Sequence, residues 1–260
     1  MCLPAATLSR SASSEDASTP DFGQRPPPPV RQALIAAAAR ITTPDSFANP
    51  RQLIRVDGAP VIIHLLRGLQ SSGIVRTVIT LGHAAHLLVE EVRKHSFGKM
   101  TVEFVWCEAS SWKRGHASNI LAARSMFPRL DEPFLLVMSD HIFDHRLLRR
   151  LTKTRLASGD VLVLIDDSRA MVEWASPGGA HCLAHCKNGH CGSLVKVTKG
   201  EGDRVSRIGK KLAGFDALEA GAYVVRPKQV RPAVLPPAIL RSAALFLAPP
   251  SHRLPSPGHS

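Results

Sequence analysis

Asp140 is where the sequence first suggests chemistry. It stands two residues after an unbroken apolar run, Phe134-Leu135-Leu136-Val137-Met138. Such a run reads as a central parallel strand covered on both faces. A carboxylate at its end is costly unless it is paired or binds a metal. A hard oxygen ligand there suits Mg2+ bridging triphosphate oxygens; the plain alternative is a helix N-cap or turn aspartate. A second place is the segment from Ala38 to Arg51, with Arg40, Thr42, Thr43 and Arg51. Its basic groups and backbone amides can cradle phosphate, although it has no glycine to ease close backbone approach. A third is His181-Cys182-Leu183-Ala184-His185-Cys186-Lys187-Asn188-Gly189-His190-Cys191, which offers nitrogen and sulfur ligands to zinc. Its Cys-x3-Cys-x4-Cys spacing matches no standard paired knuckle, and a polar loop beside Pro177-Gly178-Gly179 is the simpler reading. Ser139-Asp140-His141 is not a hydrolytic triad: adjacent residues do not make one, and no Gly-x-Ser-x-Gly elbow occurs.

The elements that must position these residues alternate between strand and helix. Gln32 to Ala37 reads as a buried strand. Pro60 opens a helix at its favoured first position, with Val61, Ile62, Leu65, Leu66 and Leu69 on one face and Gly73 beyond its end. Strands are expected over Val75–Leu81, Thr101–Trp106, Phe134–Met138 and Asp160–Ile165, and helices over Ala84–Lys94, Ala117–Phe127 and His145–Leu156. A strand-rich part follows, over Ser193–Thr198, Arg204–Ile208 and Ala220–Val225. Alternation of this kind implies right-handed βαβ units and an open α/β sheet with helices on both faces. Ligands of such sheets lie beyond the carboxyl ends of the strands. That singles out the loop after Ala37 and Ser139-Asp140-His141.

Composition bounds the rest. The 260 residues, at ~150 per domain, make one or two domains, and 44% apolar content suffices for a core. Six of the 20 prolines fall in residues 1–30 and eight in 227–260. The expected organisation is a disordered leader over 1–30, a domain over 31–226 and a Pro-rich basic tail over 227–260. The net charge of +12 invites a nucleic-acid reading. The surplus is spread out, however, and one Tyr and three Trp leave few rings to stack on bases. A small polyanion such as a nucleotide suits it as well. Five cysteines argue for a reducing compartment rather than a disulfide scaffold. The apolar stretch Ala233–Ala248 is too interrupted by Pro236, Pro237 and Arg241 to span a bilayer. A soluble, cytoplasmic protein is expected, with no nucleic-acid partner.

Four segments carry a specific resemblance. They are Leu34 to Ala38 followed by Asn49-Pro50-Arg51-Gln52-Leu53 through Ile62; Gly115-His116-Ala117-Ser118-Asn119-Ile120-Leu121; Pro133 through Phe143, with Ser139-Asp140-His141; and Ile208-Gly209-Lys210-Lys211-Leu212 running into Asp216 through Tyr223. Together they resemble the sugar-phosphate and polyol-phosphate nucleotidyltransferases (NTP transferase, MobA-like), and most of all the inositol-1-phosphate cytidylyltransferase type. The resemblance implies a Rossmann-like three-layer nucleotide-diphospho-sugar transferase fold with a mixed, mostly parallel sheet. It implies Mg2+-dependent cytidylyl transfer from CTP, or another NTP, to a small phosphate monoester such as inositol-1-phosphate, with release of pyrophosphate. A hexose-1-phosphate nucleotidyltransferase or a catalytically degenerate nucleotide-binding relative are the alternatives. By the same resemblance Ala36, Ala37, Ala38 and Arg40 hold the triphosphate and Arg51 acts at the α-phosphate. Gly115 and Ser118 line the base pocket, Asp140 is the catalytic metal ligand, and Lys196 and Lys210 meet the acceptor phosphate. The chain departs from the family's Ala-Ala-Gly-x-Gly-x-Arg at Ala38, Arg40 and Thr42 and from its Pro-Lys at Arg51. It has Glu219-Ala220-Gly221 where Asp-x-Gly is usual, and nothing after Pro227 resembles the family's closing Trp-x-Asp-Val-Asp-Thr motif.

Overall fold

Strand β1 (Gln32–Ala36) lies inside the sheet of the computed structural model, which describes residues 29–38, 50–108, 120–157, 159–180, 194–202, 204–230 and 244–246. Ala33 and Ile35 enter one core cluster while Leu34 and Ala36 enter the other. A strand dry on both faces needs no polar alternation, so the run Ala33-Leu34-Ile35-Ala36 suits it.

The chain leaves β1 through a short hairpin, β2 (Arg55–Val56) with β3 (Ala59–Pro60), and helix α1 (Val61–Ser71). It then lays β4 (Arg76–Leu81) parallel to β1. Helix α2 (Ala85–Arg93) carries it to β5 (Thr101–Trp106), parallel to β4. From there it crosses back to β6 (Phe134–Met138), parallel to β1 on the opposite side. That reversal makes the gap between the carboxyl ends of β1 and β6 the topological switch point of the sheet. Helix α3 (His145–Lys153), β7 (Leu162–Asp166) and helix α4 (Arg169–Ala175) follow. The last strands are β8 (Lys196–Lys199), β9 (Val205–Gly209), β10 (Ala217–Val225) and β11 (Ala244–Phe246). The order is β11-β7-β10-β6-β1-β4-β5, with β8 paired to β10 and β9 to β8. Among the described strands, β10 runs antiparallel between β6 and β7.

Helices cover both faces, which gives the three layers. On one face α1, α2 and α3 bury Ile62, Leu66, Leu88, Leu148 and Leu151 against Ile79, Val137 and Leu164. On the other, Ile120, Ala123 and Phe127 cover Leu34, Val78 and Leu136, and Phe127 stacks on Phe134 at 4.3 Å between ring centres. Each fully buried Leu, Ile or Phe contributes about 1.5–3 kcal/mol, so two dry faces hold the strand ends in fixed register. Helix α1 stops where Gly73 takes φ +95, a left-handed conformation that a Cβ disfavours.

The α/β sheet expected from the sequence is the one observed, with local differences. Pro60 lies one residue before the helix rather than at its first position. It is extended (ψ 146) and pairs with Arg55, while Val61 N–H bonds the Ile54 carbonyl. The helix expected to reach Leu156 ends at Lys153, because Thr154 is extended and its hydroxyl bonds the Arg150 carbonyl. The helix expected through Phe127 gives way to a 3-10 turn at Arg124–Met126. Helix α4 and strand β11, which pairs with β7, have no counterpart in the sequence reading. Of the proposed leader nothing is described before residue 29, and the His181–Cys191 cluster lies outside the described residues.

Candidate active site at the strand ends

The register of the sheet brings the two segments of interest side by side. Ala36 of β1 pairs with Met138 of β6 on one side and Thr80 of β4 on the other. Two residues further, Ala38 and Asp140 flank the switch point. Ala37 and Ala38 are buried, and the Ala37 N–H donates to the Thr80 hydroxyl at 3.0 Å. Positive φ among the described non-glycine residues occurs at Asp57 and Ala84, not here. The departure from glycine at Ala38 therefore imposes no strained backbone at that residue. Arg40 lies outside the described residues, as do Gly115 and Ser118.

Arg51 begins a 3-10 turn, Arg51–Leu53, clamped to the end of β6. The next residue, Gln52, is buried, and its side-chain amide donates to the Ser139 hydroxyl at 2.9 Å. An unpaired amide there would cost about 1–3 kcal/mol, so this bond fixes the turn. It sets Arg51 near Asp140, whose carboxylate feels the guanidinium's charge. The charges of two residues 89 apart in sequence thus influence one another.

Asp140 is not a helix cap: Asp144 fills that role for α3, accepting from Arg146 N–H at 2.7 Å. Its own partner is His141, whose Nδ1 lies 2.9 Å from Oδ1. Bonding to this imidazole holds the Asp140 carboxyl below the ordinary aspartate value, against the opposing effect of burial. The same pairing raises His141, and the charge of Glu219 adds to it. An ionised carboxylate at a strand end, with a cation beside it, can accept a hard metal ion or orient a phosphate.

Strand β10 closes the site from the far side. It pairs with β6 through Ala222–Val225 and with β8 through Ala217 and Leu218, both antiparallel. Since β7 occupies the other edge of β10, β6 and β8 lie end to end. Residues 219–221 span the gap between them, where Asp140 and His141 emerge. Glu219 raises its pKa chiefly by burial, and its carboxylate accepts from Gly221 N–H and the Tyr223 hydroxyl. Burial, then Glu219, pushes the Tyr223 phenol well above its usual value.

Lys196 stands at the start of β8, opposite Leu218. It is buried; its ammonium donates to the Leu212 carbonyl at 3.2 Å and lies 5.0 Å from the Phe215 ring centre. Lys210 is exposed in the loop that Lys196 anchors, and no described contact joins it to Asp140. His141, Glu219 and Tyr223 are site residues that sequence reasoning did not assign. The resembling segment Asp216 through Tyr223 and the departure Glu219-Ala220-Gly221 marked that stretch, without a role for the Glu219 or Tyr223 side chain.

Comparison with known proteins supports the fold and places the chain in a family. The MobA-like NTP transferase domain profile matches residues 45–244. A bifunctional IPC transferase and DIPP synthase of Rubrobacter xylanophilus is 29% identical over 178 residues, 68% of this chain. That alignment covers 34% of the relative, so the chain spans about a third of its length. The UTP–glucose-1-phosphate uridylyltransferase AglF of Haloferax volcanii is 24% identical over 145 residues, 55% of each chain. Among solved structures, the inositol-1-phosphate CTP transferase from T. maritima superimposes with a TM-score of 0.60 at 16% identity, covering 84% of this chain and 85% of the other.

Proposed function

Because the chain belongs to the MobA-like NTP transferase domain family, a family of nucleotidyltransferases, we propose that it transfers a cytidylyl group from CTP to a phosphorylated polyol or amino alcohol, inositol-1-phosphate first among them. A phosphate oxygen of the acceptor attacks the α-phosphorus in line. The bond to the β-phosphate oxygen breaks, and pyrophosphate leaves. The observation that carries this reading is the position of the Asp140 carboxylate at the switch point between β1 and β6, with His141 bonded to it and the charge of Arg51 acting on it.

Phosphoryl-centre chemistry of this kind is mostly positioning and charge neutralisation. In the proposal, the backbone after β1 (Ala36, Ala37, Ala38 and Arg40) receives the triphosphate. Arg51 stabilises charge at the α-phosphate, where a guanidinium can bond two oxygens at once. Gly115 and Ser118 line the base pocket, and Lys196 and Lys210 serve the acceptor phosphate. Asp140 is the residue that would hold Mg2+, which when bound supplies neutralisation of the phosphate charge. The fit is chemical: Mg2+ takes one or two carboxylates and completes its shell with phosphates and water. Asp140 offers one ionised carboxylate, and no group of three or more candidate metal ligands occurs among the described residues.

A hexose-1-phosphate acceptor is the second reading, favoured by similarity to the Haloferax uridylyltransferase. No helix among the described residues is long and apolar enough to cross a membrane, and we place the reaction in the cytoplasm. The test is pyrophosphate release by the purified chain with Mg2+, each of the four nucleoside triphosphates and a panel of phosphate monoesters. Release with CTP and one polyol or amino-alcohol phosphate is expected. Release with UTP and glucose-1-phosphate alone would favour the second reading, and none with any pair would reduce the chain to a binding protein.

A further inference from the structure

Between Glu219 and Tyr223 the pairing of β10 with β7 slips: four steps along β10 match two along β7. Extra residues of this kind form a bulge that re-aims the chain, and bulges gather beside functional sites. This one presents Gly221, with φ +77, to the ring of His141. A Cβ at Gly221 would lie 2.8 Å from Cδ2, 2.9 Å from Nε2 and 3.0 Å from Cε1 of that ring. Three ring atoms at once leave a larger residue no room, and the backbone angle independently disfavours one. The ring is also stacked near-parallel on Phe143, with centres 5.8 Å apart and planes 12° apart. Its Nδ1 bonds Asp140. The bulge itself is clasped from within, since Glu219 accepts from both Gly221 N–H and the Tyr223 hydroxyl.

We propose that the Glu219–Gly221–Tyr223 bulge is a positioning device for the transferase site: it seats the His141 ring, and His141 in turn fixes the orientation of the Asp140 carboxylate. The role assigned to Asp140 rests on the function proposed above; the mechanical coupling from Gly221 to His141 to Asp140 does not. Glu219, whose carboxylate accepts from the Gly221 N–H and the Tyr223 hydroxyl, is the clasp of the bulge. Partners that orient a ligand from behind are worth roughly 10–100-fold in metal affinity or activity, and that is the size of effect expected.

The test uses the full chain in two arms. In the first, histidine-labelled protein free of metal and nucleotide is examined by long-range proton–nitrogen NMR. Gly221→Ala should shift the ring nitrogens of His141 in the same sense as Asp140→Asn, both variants keeping the wild-type circular dichroism. Tyr223→Phe, which takes one donor from the clasp and keeps the Glu219 charge, should do so to a smaller extent and covers the case in which Gly221→Ala does not fold. His141 signals unmoved in a folded Gly221→Ala or Tyr223→Phe chain would overturn the proposal.

In the second arm, Mn2+ activation of turnover is titrated. Gly221→Ala should raise the metal concentration for half-activation roughly 10–100-fold. His141→Asn, whose amide can replace the Nδ1 donor, should retain most of the wild-type value, and His141→Ala should not. In the His141→Ala background the further change Gly221→Ala should add much less loss, only that of the backbone angle, since the ring it displaces is gone. Equal losses in both backgrounds would overturn the coupling. Absence of turnover in the wild type would overturn cytidylyl transfer alone and leave the first arm to decide the positioning role.

Discussion

In the proposed reaction Arg51 and Asp140 act on a common point, and each has its own expected loss. Asp140→Ala should lower turnover by on the order of 10²–10³, the scale on which single preorganised charges matter in such sites, while leaving the melting temperature within a few degrees. Arg51→Ala should lose a comparable factor. Arg51→Lys should retain part of it, since a lysine keeps the charge but not the two-pronged geometry. Parallel steady-state kinetics on the three variants checks the set, and an Arg51→Ala chain with full kcat would remove this side chain from the α-phosphate. Asp140 was legible in the sequence because a continuous apolar run ending in a carboxylate is unusual. Its partner was not. His141 is adjacent in sequence, yet its role depends on Gly221, which comes near only because β10 bulges there. The Gln52–Ser139 bond is hidden for the same reason, since 87 residues separate its ends. Gln52→Ala should cost about 1–3 kcal/mol in denaturant unfolding, the penalty for stranding a buried hydroxyl, and should lower kcat by loosening the Arg51 turn.

At the scale of elements, period and punctuation located most of the sheet. The strands over Thr101–Trp106 and Phe134–Met138 have the boundaries expected of them. What escaped was decided by contacts distant in sequence, such as β11 along β7. The outer strand β5 is held by a network of the same kind. Arg76 on β4 bonds Glu103 on β5 at 2.6 and 2.9 Å, Gln32 on β1 at 2.8 Å and the Met126 carbonyl at 2.8 Å. The Arg76 guanidinium holds the Glu103 carboxyl below the usual glutamate range. A depressed carboxyl stabilises the fold above its unfolded pKa, about 4.3, and that contribution is lost as pH falls through the folded value. Glu103→Gln should therefore destabilise the protein at pH 7 by about 0.5–1 kcal/mol, discounted for partial exposure. It should make little difference once the pH is well below 4. Melting temperatures of both chains from pH 3 to 8 check this; a constant difference across the range would contradict it.

The whole molecule was legible as an α/β sheet, and general rules for such sheets pointed to the carboxyl ends of its strands as the place for a ligand. The switch point follows once β6 is known to pair with β1 opposite β4. The sequence alone did not give that order, since many strand orders satisfy the same alternation. At this scale nucleotide binding has a thermodynamic signature. A ligand at 100 times its Kd adds about 2.7 kcal/mol, which for a domain of about 200 residues is a rise of roughly 5–10 °C in Tm. CTP with Mg2+ should produce that rise in the wild type and much less in Asp140→Ala. The net charge of +12 should make the binding weaken with added salt.

Nucleotidyl transfer at the proposed site is followed with radiolabelled substrate. CTP labelled at the α-phosphate is incubated with Mg2+, inositol-1-phosphate and either the wild-type chain or Asp140→Ala, and the products are separated. The wild type should move label into a cytidylyl ester of the acceptor, and the folded Asp140→Ala chain should not. Equal label transfer by the two chains, or none by a wild type that binds CTP, would contradict the proposed reaction.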